Sequence, residues 1–497
     1  MENNTSKVAS GLFWSYGERI FGQLVSLIVS IILARLLSPE NYGVISILMI
    51  FISFCDAIVT GGFGNAIVQK KDADELDANT MLCCSMTASA VLYGILFFAA
   101  PYVAVFYRTD IICPLLRVLG LRVLIFGLNT MQHAWIQKKM QFRKFFISSF
   151  FGTVISAVVG ITLAYFGAGP WALVAQTMTD SILDAVILLF TCDWRPKLQF
   201  SLERAKSLLG YGGKVLLTTM VFTIGNDLRS LIVGRRFGPA DLAFYDQGYK
   251  FPNLLVTNIN SSVTSVMFPV LSQNQDNPER LKQLTRQTIR IGFYVLTPVL
   301  IGLIAVADSF VCAILSEKWA PCVPYMRVFT LIFLVRPFSG TVHQTILSVG
   351  RSDVILKIIT TTTILSLAAL FYAVFVLESV IWIAYGRLIA EGINLSMFCY
   401  NSKKLLGYKF KEQLQDVIPN VLLAGIMGIL TYFLKFLPMN YLLILVLQVL
   451  FGVAFYVLAS WLLQAESFVF LVTSLGEHIS SPKVHRILQK LVRAKSA

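Results

Sequence analysis

Charge is what this chain has least of. Asp, Glu, Lys and Arg make up 14% of its 497 residues, against 56% hydrophobic residues and a mean hydropathy of +0.72. A water-soluble globule of this size needs more polar surface, so soluble enzymes and binding domains are excluded and the chain reads as an integral membrane protein. Acid is scarcer than base: 27 Asp and Glu against 41 Lys and Arg leave a net charge of +14. Histidine is nearly missing, and His133, His343, His478 and His485 show no metal or triad grouping, which assigns them structural or surface roles. The eight cysteines are scattered, and the close pair Cys83-Cys84 does not have C-x-x-C spacing, so structural thiols are expected.

The motifs of catalysis are missing as well. No G-x-x-x-x-G-K-[ST] occurs, and Gly210-Tyr211-Gly212-Gly213-Lys214 has the wrong spacing, which argues against ATP hydrolysis by this chain. Asp72-Ala73-Asp74 has the form of a metal-binding D-x-D, but within KKDADELD a solvated charge run explains it better. No cofactor, no metal and no catalytic residue is expected. The polar start, MENNTSKVAS, precedes an apolar run too long for a signal-peptide core, so it opens an uncleaved first span.

What is present is a series of long apolar segments. A membrane-crossing helix needs about 20 mainly apolar residues. That ruler gives fourteen spans: 12–34, 42–68, 79–103, 113–136, 146–167, 170–191, 211–234, 243–271, 289–315, 324–349, 354–376, 379–400, 416–436 and 441–463. Segments of this length read as helices, since barrel strands alternate with period two over about ten residues. Loops after even-numbered spans, with the span ends beside them, hold twenty Lys and Arg, while those after odd-numbered spans hold seven: Arg35, Arg108, Arg117, Arg235, Arg236, Lys318 and Lys435. The bias places both termini in the cytoplasm and turns the positive charge toward anionic lipid, not nucleic acid. Every outward loop is short, which leaves no room for an outer catalytic domain.

An internal repeat organises the spans. Ala34–Gly43, ARLLSPENYG, aligns without gaps on Gly234–Ala243, GRRFGPADLA, at an offset of 200 residues. Six spans per repeat is an even number, so both copies enter the membrane in the same direction and form parallel repeats. The expected organisation is an N-terminal six-helix lobe (1–192), a cytoplasmic interfacial linker (193–210), a C-terminal six-helix lobe (211–400), two further spans (401–463) and a cytoplasmic amphipathic tail (464–497). The linker reads as a helix lying in the interface.

Ionisable residues within spans are costly and point by default at a cavity or a partner. Glu18 and Arg19 are about 100° apart on the first helix, facing a cavity or snorkelling as a near-surface pair. Asp180 and Asp184 lie one turn apart in the sixth span, as a proton-coupling pair or as acids that tune packing. Asp227 and Arg229 sit in the seventh span. Asp246 and Lys250 in the eighth, and Arg387 and Glu391 in the twelfth, have the i, i+4 spacing of a same-face ion pair. Arg327, Arg336 and His343 add a polar strip to the tenth, where Arg327 is near enough to an end to be an anchor. A lining rich in Arg and Lys suits a bulky anion such as a phosphate ester.

The phrases LARLLSPENYGVISI, GFGNAIVQKKD, WRPKLQF, FGPADLAFYDQGYKFPN, VMFPVLSQNQDNPERL and LSEKWAPCVPYMRV together resemble the polysaccharide exporters of the MOP superfamily (multidrug/oligosaccharidyl-lipid/polysaccharide), in particular the Wzx-like colanic acid and teichuronic acid branch. The resemblance covers nearly the whole chain. It implies a MATE-like fold and a flippase that carries an undecaprenyl-pyrophosphate-linked oligosaccharide across the bacterial cytoplasmic membrane by alternating access between two lobes. It further implies pathway partners, a polymerase and glycosyltransferases, and a monomer. Arg19, Arg229, Lys250, Arg336 and Arg387 are the residues expected to hold the pyrophosphate. Glu18, Asp180, Asp184, Asp227, Asp246 and Glu391 are the acids expected to pair or couple ions, with proton, sodium or membrane potential all open as driving force. Lipid II, a drug or an ion is the rival cargo on the same fold, and a cationic lining argues against a cationic drug.

Overall fold

The computed structural model describes residues 21–70 and 72–478. Glu18, Arg19, His485 and the tail beyond residue 478 lie outside the described residues. Within them every regular element is helical. Ten helical stretches are long and apolar enough to cross a membrane. They are α2 (Pro39–Val59), α4 (Glu75–Tyr107), α5 (Ile112–Lys138), α6 (Phe142–Tyr165), α7 (Pro170–Thr191), α10 (Pro278–Phe310, running on to Leu315), the pair α11 (Val323–Leu334) and α12 (Arg336–Ser348), α13 (Ser352–Phe375), α15 (Phe410–Phe433) and α16 (Tyr441–Leu462). The chain is an all-α, multi-pass membrane protein.

The other four expected spans fall on helices outside that set. α1 (Phe21–Leu36) is described from residue 21 onward. α8 (Leu202–Arg236), α9 (Pro239–Gln273) and α14 (Val380–Leu406) have the length. They carry Asp227 and Arg229, Asp246 and Lys250, and Arg387 and Glu391. Three of the helices outside that set thus carry pairs of ionisable residues within the expected spans. Among the described residues α3 (Asn65–Gln69) and α17 (Glu466–His478) are shorter α-helices.

Local chemistry sets the helix starts. Ser38 caps α2 by accepting from the Asn41 N–H, with Pro39 in the first turn, where a missing N–H costs nothing. Asp74 and Asp77 form a reciprocal capping box on α4. The D-x-D loop is thus a helix cap, where the sequence suggested a freely solvated run. Arg204 reaches back to it, 2.6 Å from Asp74 Oδ1 and 3.1 Å from the fully buried Asp77, and holds the Asp74 carboxyl below the usual carboxylate range.

Two compact units divide the chain, residues 1–243 and 244–497. In the first, α5 packs on α2, α4 and α7, α6 lies along α7, and α8 packs on α2 and α4. Trp135 and Trp194 meet in its core beside Met81 and Leu82. The linker departs from expectation: residues 193–201 are non-helical, since Pro196 disfavours helix for the residue before it, and the helix begins at Leu202. This strap is hydrogen-bonded to the start of α4, with Asn79 taking the Lys197 N–H and donating to Gln199 Oε1, and Thr80 taking the Ser201 N–H.

The repeated turns meet within the same unit. Gly43 of the first copy lies against Pro239 of the second so closely that a β-carbon would sit 1.7 Å from the Pro239 carbonyl oxygen. In the second unit, α10 packs on α11, α12, α15 and α16, and α13 pairs with α14. Its main core gathers Phe293, Phe338, Val342, Ile358, Phe398 and Tyr408.

Candidate functional site

Two sets of membrane-depth polar residues stand out, one in each unit. In the first, α7 presents Asp180 and Asp184 toward α5 and α6. Asp184 Oδ2 accepts from Asn129 and lies 2.8 Å from His133 Nε2. Asn129 and His133 are one turn apart on α5, so a single face supplies both partners. Asp180 lies toward α6, where Gly152 makes room: a β-carbon there would be 3.2 Å from Asp180 Oδ1. One turn thus separates the two acids, and Asp184 also meets α6 through Ser148.

A cleft of about 260 Å³ opens beside this group, lined by Asn65, Thr130, His133, Gln137 and Asp184. One wall is the Thr60–Gly64 segment, TGGFG, a π-turn that widens the end of α2 and brings Gly64 against Thr130. Deeper, Arg122 lies 3.5 Å from Asp56, donates to Ser181 Oγ at 3.0 Å and stands over the Phe126 ring. Asp227 on α8 accepts from Ser53 Oγ at 2.7 Å, and Arg229, two residues on, is half-buried.

His133 gains a partner that its own segment did not reveal. Expected in a structural or surface role, it hydrogen-bonds Asp184, because tertiary packing of α5 on α7 brings together residues 51 apart in sequence. Asp56, Arg122 and Asn129 were also missed. The signal was available: Asn129 and His133 at i, i+4 in an apolar span repeat the logic that singled out Asp246 and Lys250.

In the second unit, Arg387 on α14 lies with its guanidinium 5.0 Å from the Tyr249 ring centre and 5.7 Å from that of Phe329. Glu391 accepts instead from Asn394 at 3.1 Å, so the ion pair that the i, i+4 spacing suggests is not formed. The aromatic rings explain the preference: a planar guanidinium stacks on π faces and needs no carboxylate there. Tyr249 itself packs edge-on against Phe329 and beside Phe333. Arg336 opens α12 next to this group, over the Phe333 ring at 5.6 Å, with its buried Nε lacking a partner among the described residues. Asp246 and Lys250 lie half-buried on α9 one turn apart.

Other charges have mechanical roles. Asp308 takes both Arg327 at 2.8 Å and Lys435 at 2.6 Å, tying α10, α11 and the end of α15. Asp416, its side chain fully buried, receives Arg286 at 2.7 Å, Arg290 at 2.6 Å and the Tyr408 hydroxyl at 2.6 Å, pinning α10 to α15. His343 packs edge-on to Phe398. Among the described residues no group of three or more His, Cys, Asp or Glu is placed to hold a metal ion.

A polytopic helical membrane protein with arginines buried on aromatic rings is the class that fold and site define. A model of the family described as polysaccharide biosynthesis protein matches residues 32–324, and the chain belongs to that family. It is 23% identical over 438 residues to the teichuronic acid biosynthesis protein TuaB of Bacillus subtilis (strain 168), covering 87% of this chain and 90% of that one. It is 22% identical over 440 residues to the lipopolysaccharide biosynthesis protein WzxC of Escherichia coli (strain K12), covering 85% and 88%. The fold is similar to that of the lipid II flippase MurJ in an inward closed conformation, with a TM-score of 0.74 at 15% identity over 92% of this chain and 99% of that one. An inward-facing MATE transporter of the MOP superfamily aligns with a TM-score of 0.58 at 16% identity over 77% and 95%.

Proposed function

We propose that this chain is a flippase that carries an undecaprenyl-pyrophosphate-linked oligosaccharide repeat unit from the cytoplasmic to the outer leaflet of the bacterial cytoplasmic membrane, for assembly of a surface polysaccharide. The observation that carries the reading is Arg387. A guanidinium held on aromatic faces and hydrogen-bonded to the Tyr245 and Tyr249 side chains, with its acidic neighbour turned to Asn394, offers a fixed positive charge to a phosphate. Arg336, with a free buried Nε, supplies a second donor nearby, and Arg229 and Lys250 are further contacts in this reading. Family membership and relatives named for teichuronic acid and lipopolysaccharide biosynthesis support the cargo class.

In this reading the chain is a transporter and not an enzyme, both termini are cytoplasmic, and two parallel six-helix repeats alternate access to the cargo. Asp184 with His133, in the cleft of the first unit, is the proton-coupling pair, and Asp180, Asp227, Asp246 and Glu391 hold structure. The test is the lipid-linked glycan of a strain lacking the gene. Complete repeat units should accumulate in the cytoplasmic leaflet and be relieved by the intact gene but not by Arg387→Ala. Build-up in the outer leaflet would indicate a polymerase instead, and an unchanged glycan would return lipid II, drug or ion transport.

A further inference from the structure

Between α14 and α15, closed behind by α10 and the α11–α12 junction, runs a groove of about 550 Å³. Leu395, Cys399 and Lys403 line it at four-residue steps along α14, and Gln413, Val417 and Val421 do so along α15. Eight residues of helix make a trough about 12 Å long. Its floor is Phe293 and Phe338. Tyr400 and Phe410, 65% and 58% exposed, leave it open at the side.

The two ends of the trough differ in chemistry. The far end, at Val421 and Leu395, is hydrocarbon. The near end holds the Lys403 ammonium in the last turn of α14, with Lys404, Lys409 and Lys411 following in the connection and the next helix. Gln413 stands at the same level, 3% exposed. Its amide N–H groups are spent on the Cys399 and Tyr408 carbonyls, while its Oε1 is buried without a partner among the described residues. An unsatisfied buried acceptor in a groove asks for a donor from whatever fills it.

We propose that this groove binds one anionic phospholipid of the surrounding leaflet, a phosphatidylglycerol, with an acyl chain in the trough, its phosphate at Lys403 and a headgroup hydroxyl donating to Gln413 Oε1. The occupant follows from complementarity: an apolar channel fits a chain, a lysine cluster fits a phosphate, and a lone acceptor fits a hydroxyl that choline headgroups do not have. The site is separate from Arg387, and the cargo reading does not depend on it.

Native mass spectrometry of the full chain, delipidated and offered phosphatidylglycerol or phosphatidylcholine, tests the assignment. The protein should retain one phosphatidylglycerol in preference to phosphatidylcholine. At roughly 1 kcal/mol per lysine near a lipid surface, Lys403→Ala should weaken retention about fivefold and Lys403→Glu about thirtyfold. Lys357→Glu, an exposed lysine outside the groove, should leave it unchanged. Leu395→Trp should also expel the lipid by filling the trough, and Lys403→Glu, on the surface, decides the matter should that variant misfold. Equal retention of both lipids, retention unaltered in Lys403→Glu, or preference for an isoprenoid phosphate over phosphatidylglycerol would each overturn the proposal.

Discussion

At the scale of single residues, the decisive contrast is between charges that are neutralised and those that are not. Asp416, Asp308 and Asp77 each draw two cations and act as rivets. Arg387 rests on rings. Charge-assisted hydrogen bonds are worth about 1.5–3 kcal/mol, so Arg387→Ala should lower transport roughly tenfold to a hundredfold with membrane levels unchanged by immunoblot. Arg387→Lys should recover part of the loss, because it restores charge but not the planar fork. Asp184→Asn should flatten the pH profile of transport, and an unaltered profile would remove the coupling role. Outside the membrane, Asp74 gives a signed prediction. Its folded value is depressed by Arg204, so its stabilisation is complete above the ordinary carboxylate range, near pH ~4, and fades as pH falls through the lower folded value. The difference in Tm between the wild type and Asp74→Asn should therefore shrink on acidification. These residues were legible to different degrees. Arg387 and Asp184 announce themselves as charge in an apolar span, whereas the partner of Asp184 depends on α5 meeting α7, and spacing within one segment does not reveal such a meeting.

At the scale of elements, the limits of the apolar helices could be read from hydropathy because each must cross the same hydrocarbon thickness. The strap at 193–201 could not. Its apolar residues suggested an amphipathic helix, but Pro196 and the side chains of Asn79 and Thr80 hold it extended. Close helix approaches rest on glycine. Gly43 touches the Pro239 backbone, and a β-carbon on Gly248 would lie 2.6 Å from the Tyr325 β-carbon and 2.9 Å from the Met326 nitrogen. Backbone gives way less readily than a flexible side chain, so Gly43→Val and Gly248→Val should each cost about 3 kcal/mol or more and reduce folded protein in the membrane. Gly94→Val, with nothing within 4 Å of its β-carbon position, is the control expected to behave as wild type in a thermal-melt assay.

At the scale of the whole molecule, scarcity of charge fixes the solvent and the placement of the remaining charge suggests the task. The bias of Lys and Arg toward alternate loops is the basis for the expected orientation, and the ionisable residues within spans are the basis for the proposed anion path. The 200-residue repeat was visible because both copies retain a proline turn after a long helix, and the structure gives a physical reason for one of its positions, Gly43 against Pro239. The cargo is legible only as a chemical class, an anion too large and polar to cross hydrocarbon unaided. The most direct test is transport by the purified chain in proteoliposomes, using a fluorescent undecaprenyl-pyrophosphate-linked oligosaccharide and an impermeant quencher. Wild-type protein should expose the probe on the opposite leaflet, and Arg387→Ala should do so roughly tenfold to a hundredfold more slowly. Equal movement with both proteins, or none with the wild type while lipid II is flipped, would contradict the account.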